Sequence, residues 1–487
     1  MWRKISFLFA AAVFSITVIA QGYEIKVKVP AFKDSKVILA HFFAREGSFY
    51  PDDTVVFDKN GVGVFKGSKP LIGGMYIAYL PNSRYFDFII GDHQKFAVEA
   101  DTANLATGIK FSGSQENNLY YGYRALTNRG FETEQKWKLA SGTTKDSLGG
   151  IMKSINQQIS SFVERSAAEN PKSYFAVWAR ALRDIEVPDF PRDQNGNVLD
   201  SSFRYNYWHK HYFDNFDLAD SRLIRTPFYE NKLKYYLEKV IPQHPDSMKQ
   251  ELDMIMNKVK GNNEVFRYCL GFLFNHYAAL ANQIVGMDAV YIYFSEKYYL
   301  PNATWIDNDF REKLMKTIER VKPNLVGNFA PPISLLEVPV GHFVTAQTDT
   351  VVKNSLRLGN PLPLERIVSE FTVLVFWSID CGHCQKDIPL LNDSIYPKLA
   401  TMGVKLVAIH NISSVEEKRK WIDFVNQHKL YNWINAVPYN ADYQELYNVF
   451  VKPTIYVLDK DKRIIAKSIG IRQIEEVIVH AAKAGKK

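Results

Sequence analysis

"FWSIDCGHCQKDIP", residues 376 to 389, holds two of the chain's three cysteines, Cys381 and Cys384, with Gly382 and His383 between them. That spacing serves a redox dithiol, half of a zinc site, or a local staple. A zinc centre takes about four nitrogen or sulfur ligands, usually from two such pairs. Here there is one pair and scattered histidines, so neither a metal nor another cofactor is expected. A staple between residues so close in sequence removes little unfolded-state entropy. The residues that follow, "CQKDIPLLNDSIYPKLATMG", have helical spacing, which puts the pair at a helix start. There Cys381 faces unpaired backbone N–H groups and the positive end of the helix dipole, and both favour the thiolate that attacks disulfides. Cys384, one turn further in, can reach back to close a disulfide with Cys381. His383 adds a donor or a positive charge that stabilises the thiolate, whereas the negative charge of Asp380 opposes it.

The elements around the pair follow a regular order. "FTVLVFWS" (371 to 378) is a nearly continuous apolar run, as a strand covered on both faces requires. After the helix come the strand "VKLVAIHNI", the helix "VEEKRKWIDFVNQH", the strand "TIYVLD", a turn at Lys460 and Asp461, the strand "RIIAKSI" and a last helix from about Gln473. This succession is a thioredoxin topology, with the cysteines where the first helix begins.

Two stretches, "FWSIDCGHCQKDIP" and "VFVKPTIYVLD", make the last 160 or so residues resemble exported thioredoxin-fold thiol:disulfide oxidoreductases of the TlpA/ResA type. The resemblance implies a catalytic set of Cys381, Cys384, His383, Pro453 and Asp387. Pro453 would be the family's cis-proline facing the dithiol, and Asp387 the acid that handles the proton of Cys384. A first-turn acid favoured by the helix dipole is an equal reading of Asp387. Lys452 and Pro453 would shape the substrate groove. The implied partners are protein thiols and disulfides, with a membrane thiol donor if the protein acts as a reductase. Three departures bear on the direction of electron flow. Asp380 replaces the usual Trp, Gly-His is the pair of the more oxidising protein disulfide isomerase, and Lys452 stands where small or apolar residues are commoner.

The rest of the chain reads as a multi-domain protein. "MWRKISFLFAAAVFSITVIAQ" has the charged start, apolar run and small-residue end of a secretory signal, cut near Gln21, which places the body outside the cytoplasm, in the periplasm. Left uncut, the segment would be a membrane anchor. Residues 21–113 alternate in short runs: in "YEIKVKV", Tyr23, Ile25, Val27 and Val29 share one face. Six or seven strands in a small β-sandwich are expected, with Asn60-Gly61 closing a hairpin. Residues 114–325 have helical spacing and form an all-α domain; residues 326–487 form the α/β thioredoxin-like domain. "NFDLADSRLIRTP" and the domain order resemble multi-domain thioredoxin-like proteins exported by Bacteroidetes.

Within the helical part, the aromatic-dense stretch from Phe203 to Tyr236 is expected to pack helix against helix; a groove for a peptide or glycan is the sharper alternative. His209 and His211, two apart on a helix, point in different directions and cannot share an ion. Cys269, apolar on both sides, belongs to a core. The formal net charge is +8 without a block of like charges, so nucleic acid is not an expected partner. A reading from another class stays open: a binding or scaffold protein whose dithiol is only a structural disulfide.

Overall fold

A computed structural model describes residues 22–103, 108–281, 283–354, 359–439 and 442–484. The signal segment with its cut near Gln21 lies outside the described residues. No helix among them is long and apolar enough to cross a membrane.

Alternation of apolar residues builds two four-stranded sheets at the N-terminal end. One has the order β4 (Val62–Lys66), β1 (Glu24–Lys28), β7 (Lys95–Ala100), β8 (Ile109–Ser112). The other runs β3 (Arg45–Val56), β2 (Lys36–Phe43), β5 (Gly74–Leu80), β6 (Arg84–Ile90). Ile25, Val27 and Val29 are buried as their shared face requires, in a core with Leu39, Phe65 and Phe88. The sandwich has eight strands rather than six or seven, because β8 is only four residues long, too short to show an alternating pattern.

Asn60-Gly61 does not close a hairpin. β4 pairs with β1 while β3 pairs with β2, so the turn carries the chain from one sheet to the other. The Asp58 carboxylate shapes it by accepting from the backbone N–H groups of Asn60 and Val62 at 2.8 and 2.9 Å. Gly61 is required on two counts: its φ is +72°, and a Cβ there would stand 2.3 Å from the Val29 carbonyl oxygen.

Helices follow from Gln115 to Val321, starting with Gln115–Leu139, capped by Ser114, and Gly142–Glu169. The first seals the edge strand β6. The buried Asn117 amide accepts from the Ile89 N–H and donates to the Ile89 carbonyl, both at 2.8 Å, as a neighbouring strand would. Cys269 is fully buried.

The chain forms two compact units, Met1–Ile241 with Asn257–Phe266, and Pro242–Met256 with Arg267–Lys487. The second unit therefore joins the later helices to the C-terminal sheet. Its order is β10 (Asn360–Pro363), β9 (Ser334–Glu337), β13 (Ile434–Pro438), β12 (Val404–His410), β11 (Phe371–Trp377), β14 (Thr454–Leu458), β15 (Ile464–Lys467). β11, β12 and β13 are parallel and β14 and β15 antiparallel. β9, β10 and β13 extend the expected sheet; each is only four or five residues long, too short for a clear pattern.

Both sheet faces are covered, which explains the continuous apolar run of β11. Val373, Val375 and Trp377 enter one core, Leu374 and Phe376 the other. The helices of the second unit are tied to this sheet by buried polar contacts. Lys467 of β15 pairs with Asp288, both nearly buried. The Asn324 side chain donates to the Leu446 carbonyl at 2.8 Å.

Candidate active site

β11 and β12 run in parallel register, with Trp377 opposite His410 at their carboxyl ends. In open α/β sheets this is the edge where ligands and chemistry gather. The chain leaves β11 through Ser378, Ile379 and Asp380 and enters the helix Gly382–Leu390 with Cys381 as its N-cap. Proline removes a helical N–H and crowds the preceding turn. Pro389 accordingly lies at the end of this helix, and the next five residues form a wide π-helical turn.

Cys381 is half-buried and Cys384 buried, both as free thiols. The Cys381 sulfur accepts the Cys384 backbone N–H at 3.2 Å, the role of a capping oxygen in an ordinary helix. Its own S–H donates to the Lys452 carbonyl at 3.2 Å. The Lys452–Pro453 peptide is cis. Five positions singled out in the sequence, Cys381, His383, Cys384, Lys452 and Pro453, thus stand at one place. His383 is exposed on the first helical turn, and Asp387, half-buried, follows Cys384 by one turn.

The two sulfurs have different surroundings. Burial pushes the Cys384 thiol up to about 12, reinforced by its hydrogen bond with Cys381, while a backbone bond from Ser378 and the Lys452 charge pull the other way. Asp387 is not among the groups that act most on it. Near neutral pH Cys384 stays protonated.

Sequence reasoning missed the groups that hold this geometry. Nε2 of His410, fully buried at the end of β12, accepts the Ile379 N–H at 3.0 Å. The Gln385 side chain donates to the Ile379 carbonyl at 2.7 Å, so the residue two before Cys381 is clamped on both sides. Trp377 and Trp421 pack edge-on and tilted against the imidazole, at 5.1 and 5.3 Å between ring centres. Burial pushes His410 down to about 4, against the pull of Glu417, whose carboxylate lies 4.0 Å away. Burial would raise Glu417, but hydrogen bonds from the Ser413 hydroxyl and N–H outweigh it and hold the carboxyl low. The available signal was a histidine closing the strand next to the dithiol strand. Asp380 is exposed and has Lys420 3.8 Å away, so its charge does not face Cys381 unopposed.

His209 and His211 are separated as their spacing requires. His209 stacks on Tyr236, and His211 bonds to Asp214 at 2.6 Å.

Residues 369–464 match a thioredoxin-like family, residues 23–120 a domain of unknown function, DUF4369, and residues 140–324 another, DUF5106. The thiol-disulfide oxidoreductase ResA of Bacillus cereus is 28% identical over 119 residues, covering 24% of this chain and 66% of that protein. ResA of Bacillus anthracis gives the same figures. The match thus spans just under two thirds of these relatives' length. Among solved structures, a thioredoxin-like protein from Bacteroides caccae is 18% identical with a TM-score of 0.43, covering 61% of this chain and 99% of its own. A thiol:disulfide interchange protein from a Bacteroides species is 19% identical with a TM-score of 0.25, covering 32% of this chain and 90% of its own.

Proposed function

We propose that this TlpA/ResA-like multi-domain protein is an exported thiol:disulfide oxidoreductase that reduces disulfides in partner proteins through Cys381 and Cys384. The observation that carries the reading is the asymmetry of the pair: one sulfur at the helix start, half-exposed and bonded by an N–H, the other buried and held protonated.

In the forward reaction the Cys381 thiolate attacks one sulfur of the partner's disulfide. A mixed disulfide forms, the partner's S–S bond breaks, and its second sulfur leaves as a thiolate that takes up a proton. Cys384 then gives up its proton, and its sulfur attacks Cys381. The intramolecular disulfide forms, the mixed disulfide breaks, and the partner departs with two thiols. The partner gains two electrons and the chain loses two. A thiol donor at the membrane returns them. His383, exposed beside Cys381, stabilises the thiolate form, and Asp387 receives the Cys384 proton one turn away. Lys452 and Pro453 form the wall of the substrate groove, where the Lys452 carbonyl already meets Cys381. The family match and the secretory character of residues 1–20 support a periplasmic setting.

Removing the resolving thiol tests the mechanism. Cys384→Ser, expressed in the exporting cell, accumulates covalent adducts that dithiothreitol dissolves and that Cys381→Ser does not form. Acid-trapping of the wild type finds the resting pair reduced. A folded, exported Cys384→Ser protein without adducts would favour a binding or scaffold protein whose dithiol is only a structural disulfide, and an oxidised resting pair would reverse the direction.

A further inference from the structure

The aromatic-rich stretch of the helical region is not spent on packing alone. Tyr212, Phe216, Tyr229 and Tyr236 are buried, as side chains holding helices together must be. Tyr235 keeps 49% of its surface exposed, and Trp208 is half-buried. These two, with Tyr212 and Phe228, line a cavity of about 830 Å³ between the helices Phe203–His211 and Tyr229–Tyr235 and the residues after helix Tyr174–Ala181. That volume lies in the range of small-molecule sites, and a wall of aromatic and aliphatic side chains with a few polar groups is their usual composition.

The rings form an ordered set. Trp208 meets Tyr212 and Tyr235 edge to face, with centres 5.9 and 6.4 Å apart, while Tyr212 and Tyr235 lie parallel at 6.4 Å. Lys232 adds charge. Its Nζ sits 4.5 Å from the centre of the Tyr212 ring, and no carboxylate among the described residues comes within ion-pair distance of it. Burial lowers the Lys232 pKa, and Asp184 on the exposed rim only partly opposes this. Arg204, also on the wall, is engaged elsewhere, over the Phe190 ring and 3.5 Å from Asp189. A partly desolvated ammonium in a cavity that Trp208 and Tyr235 also line is complementary to an anion carried on a flat apolar group.

We propose that this cavity binds a small aromatic carboxylate, its ring against Trp208 and Tyr235 and its carboxylate on Lys232 Nζ. The site is separate from the dithiol chemistry, and its occupancy does not depend on it.

Isothermal titration of the full chain with naphthylacetate and with its neutral amide, naphthylacetamide, tests the assignment. The carboxylate is expected to bind about tenfold more tightly than the amide, equivalent to about 1.4 kcal/mol. Lys232→Gln keeps a polar side chain without the charge and should bring the two probes level by weakening the carboxylate alone. The unchanged amide serves as the control that the cavity is intact. Trp208→Ala should weaken both probes by a similar factor. The proposal is overturned if neither probe gives a saturable heat, if the two bind equally to the wild type, if Lys232→Gln weakens both alike, or if Trp208→Ala changes neither.

Discussion

Strand β5 of the sandwich and strand β11 of the C-terminal sheet are each seven residues long, central and buried on both faces. Tyr76, Ala78 and Leu80 of β5 enter the sandwich core, and Met75 and Ile77 pack with Tyr174 and Trp178 of the helices. β11 divides its side chains between two cores in the same way. What differs is the company at the strand ends. β5 has antiparallel neighbours on both sides, so adjacent strands end on opposite edges and the chain turns straight back into β6. β11 lies parallel to β12, so both carboxyl ends reach one edge, where a helix starts and Cys381, His410 and the Lys452 carbonyl meet. Burial alone makes a core; the direction of pairing makes a place for chemistry.

The two sheets also close their outer strands differently, β15 with the buried Lys467–Asp288 ion pair and β6 with the neutral Asn117 amide. Orphaning a buried charge costs more than orphaning a neutral polar group. Lys467→Met is therefore expected to destabilise the second unit by about 3–5 kcal/mol, seen as lost hydrogen-exchange protection at β14 and β15. Adding Asp288→Leu should restore most of it. If the double variant is as unstable as the single one, the cost is not that of a stranded charge.

Asn117→Ala leaves the Ile89 N–H and carbonyl without their partner, and the exchange protection of β6 should fall by about 2–3 kcal/mol. β14 and β15 should be unaffected. A loss spread equally over both sheets would break the distinction between the two edges.

His410 sharpens the comparison further, because the sandwich core has no buried histidine among the described residues. Its ordinary pKa is about 6.5, and burial holds it near 4 in the fold. Between those values the unfolded chain binds a proton that the folded chain refuses, so stability is full above about pH 6.5 and is lost as pH falls towards 4. The contribution is on the order of 3 kcal/mol. Glu417, held low, acts in the same direction but only below its ordinary range, about pH 4.3. His410→Gln, which keeps an acceptor for Ile379, should flatten the pH dependence of protection at β11 and β12 above pH 4.5 and leave β5 unchanged. An unaltered slope would mean that another group carries the loss.

The sequence by itself determined what depends on local pattern. The alternation of β1, the continuous apolar run of β11 and the helical spacing after Cys381 each specify an element, because side-chain periodicity must match backbone periodicity wherever a face is buried. The cysteine pair at a helix start and its resemblance to known oxidoreductases were legible on the same grounds. Tertiary structure alone decided where the turn at Asn60-Gly61 leads, since a turn sets local direction and not the partner of the next strand. It alone placed His410 and Gln385 on either side of Ile379, and it assigned the helices after residue 267 to the unit that holds the C-terminal sheet. It also divided the aromatics between packing and a cavity wall. Contacts between residues far apart in the chain depend on how elements dock, and no local window of sequence records that.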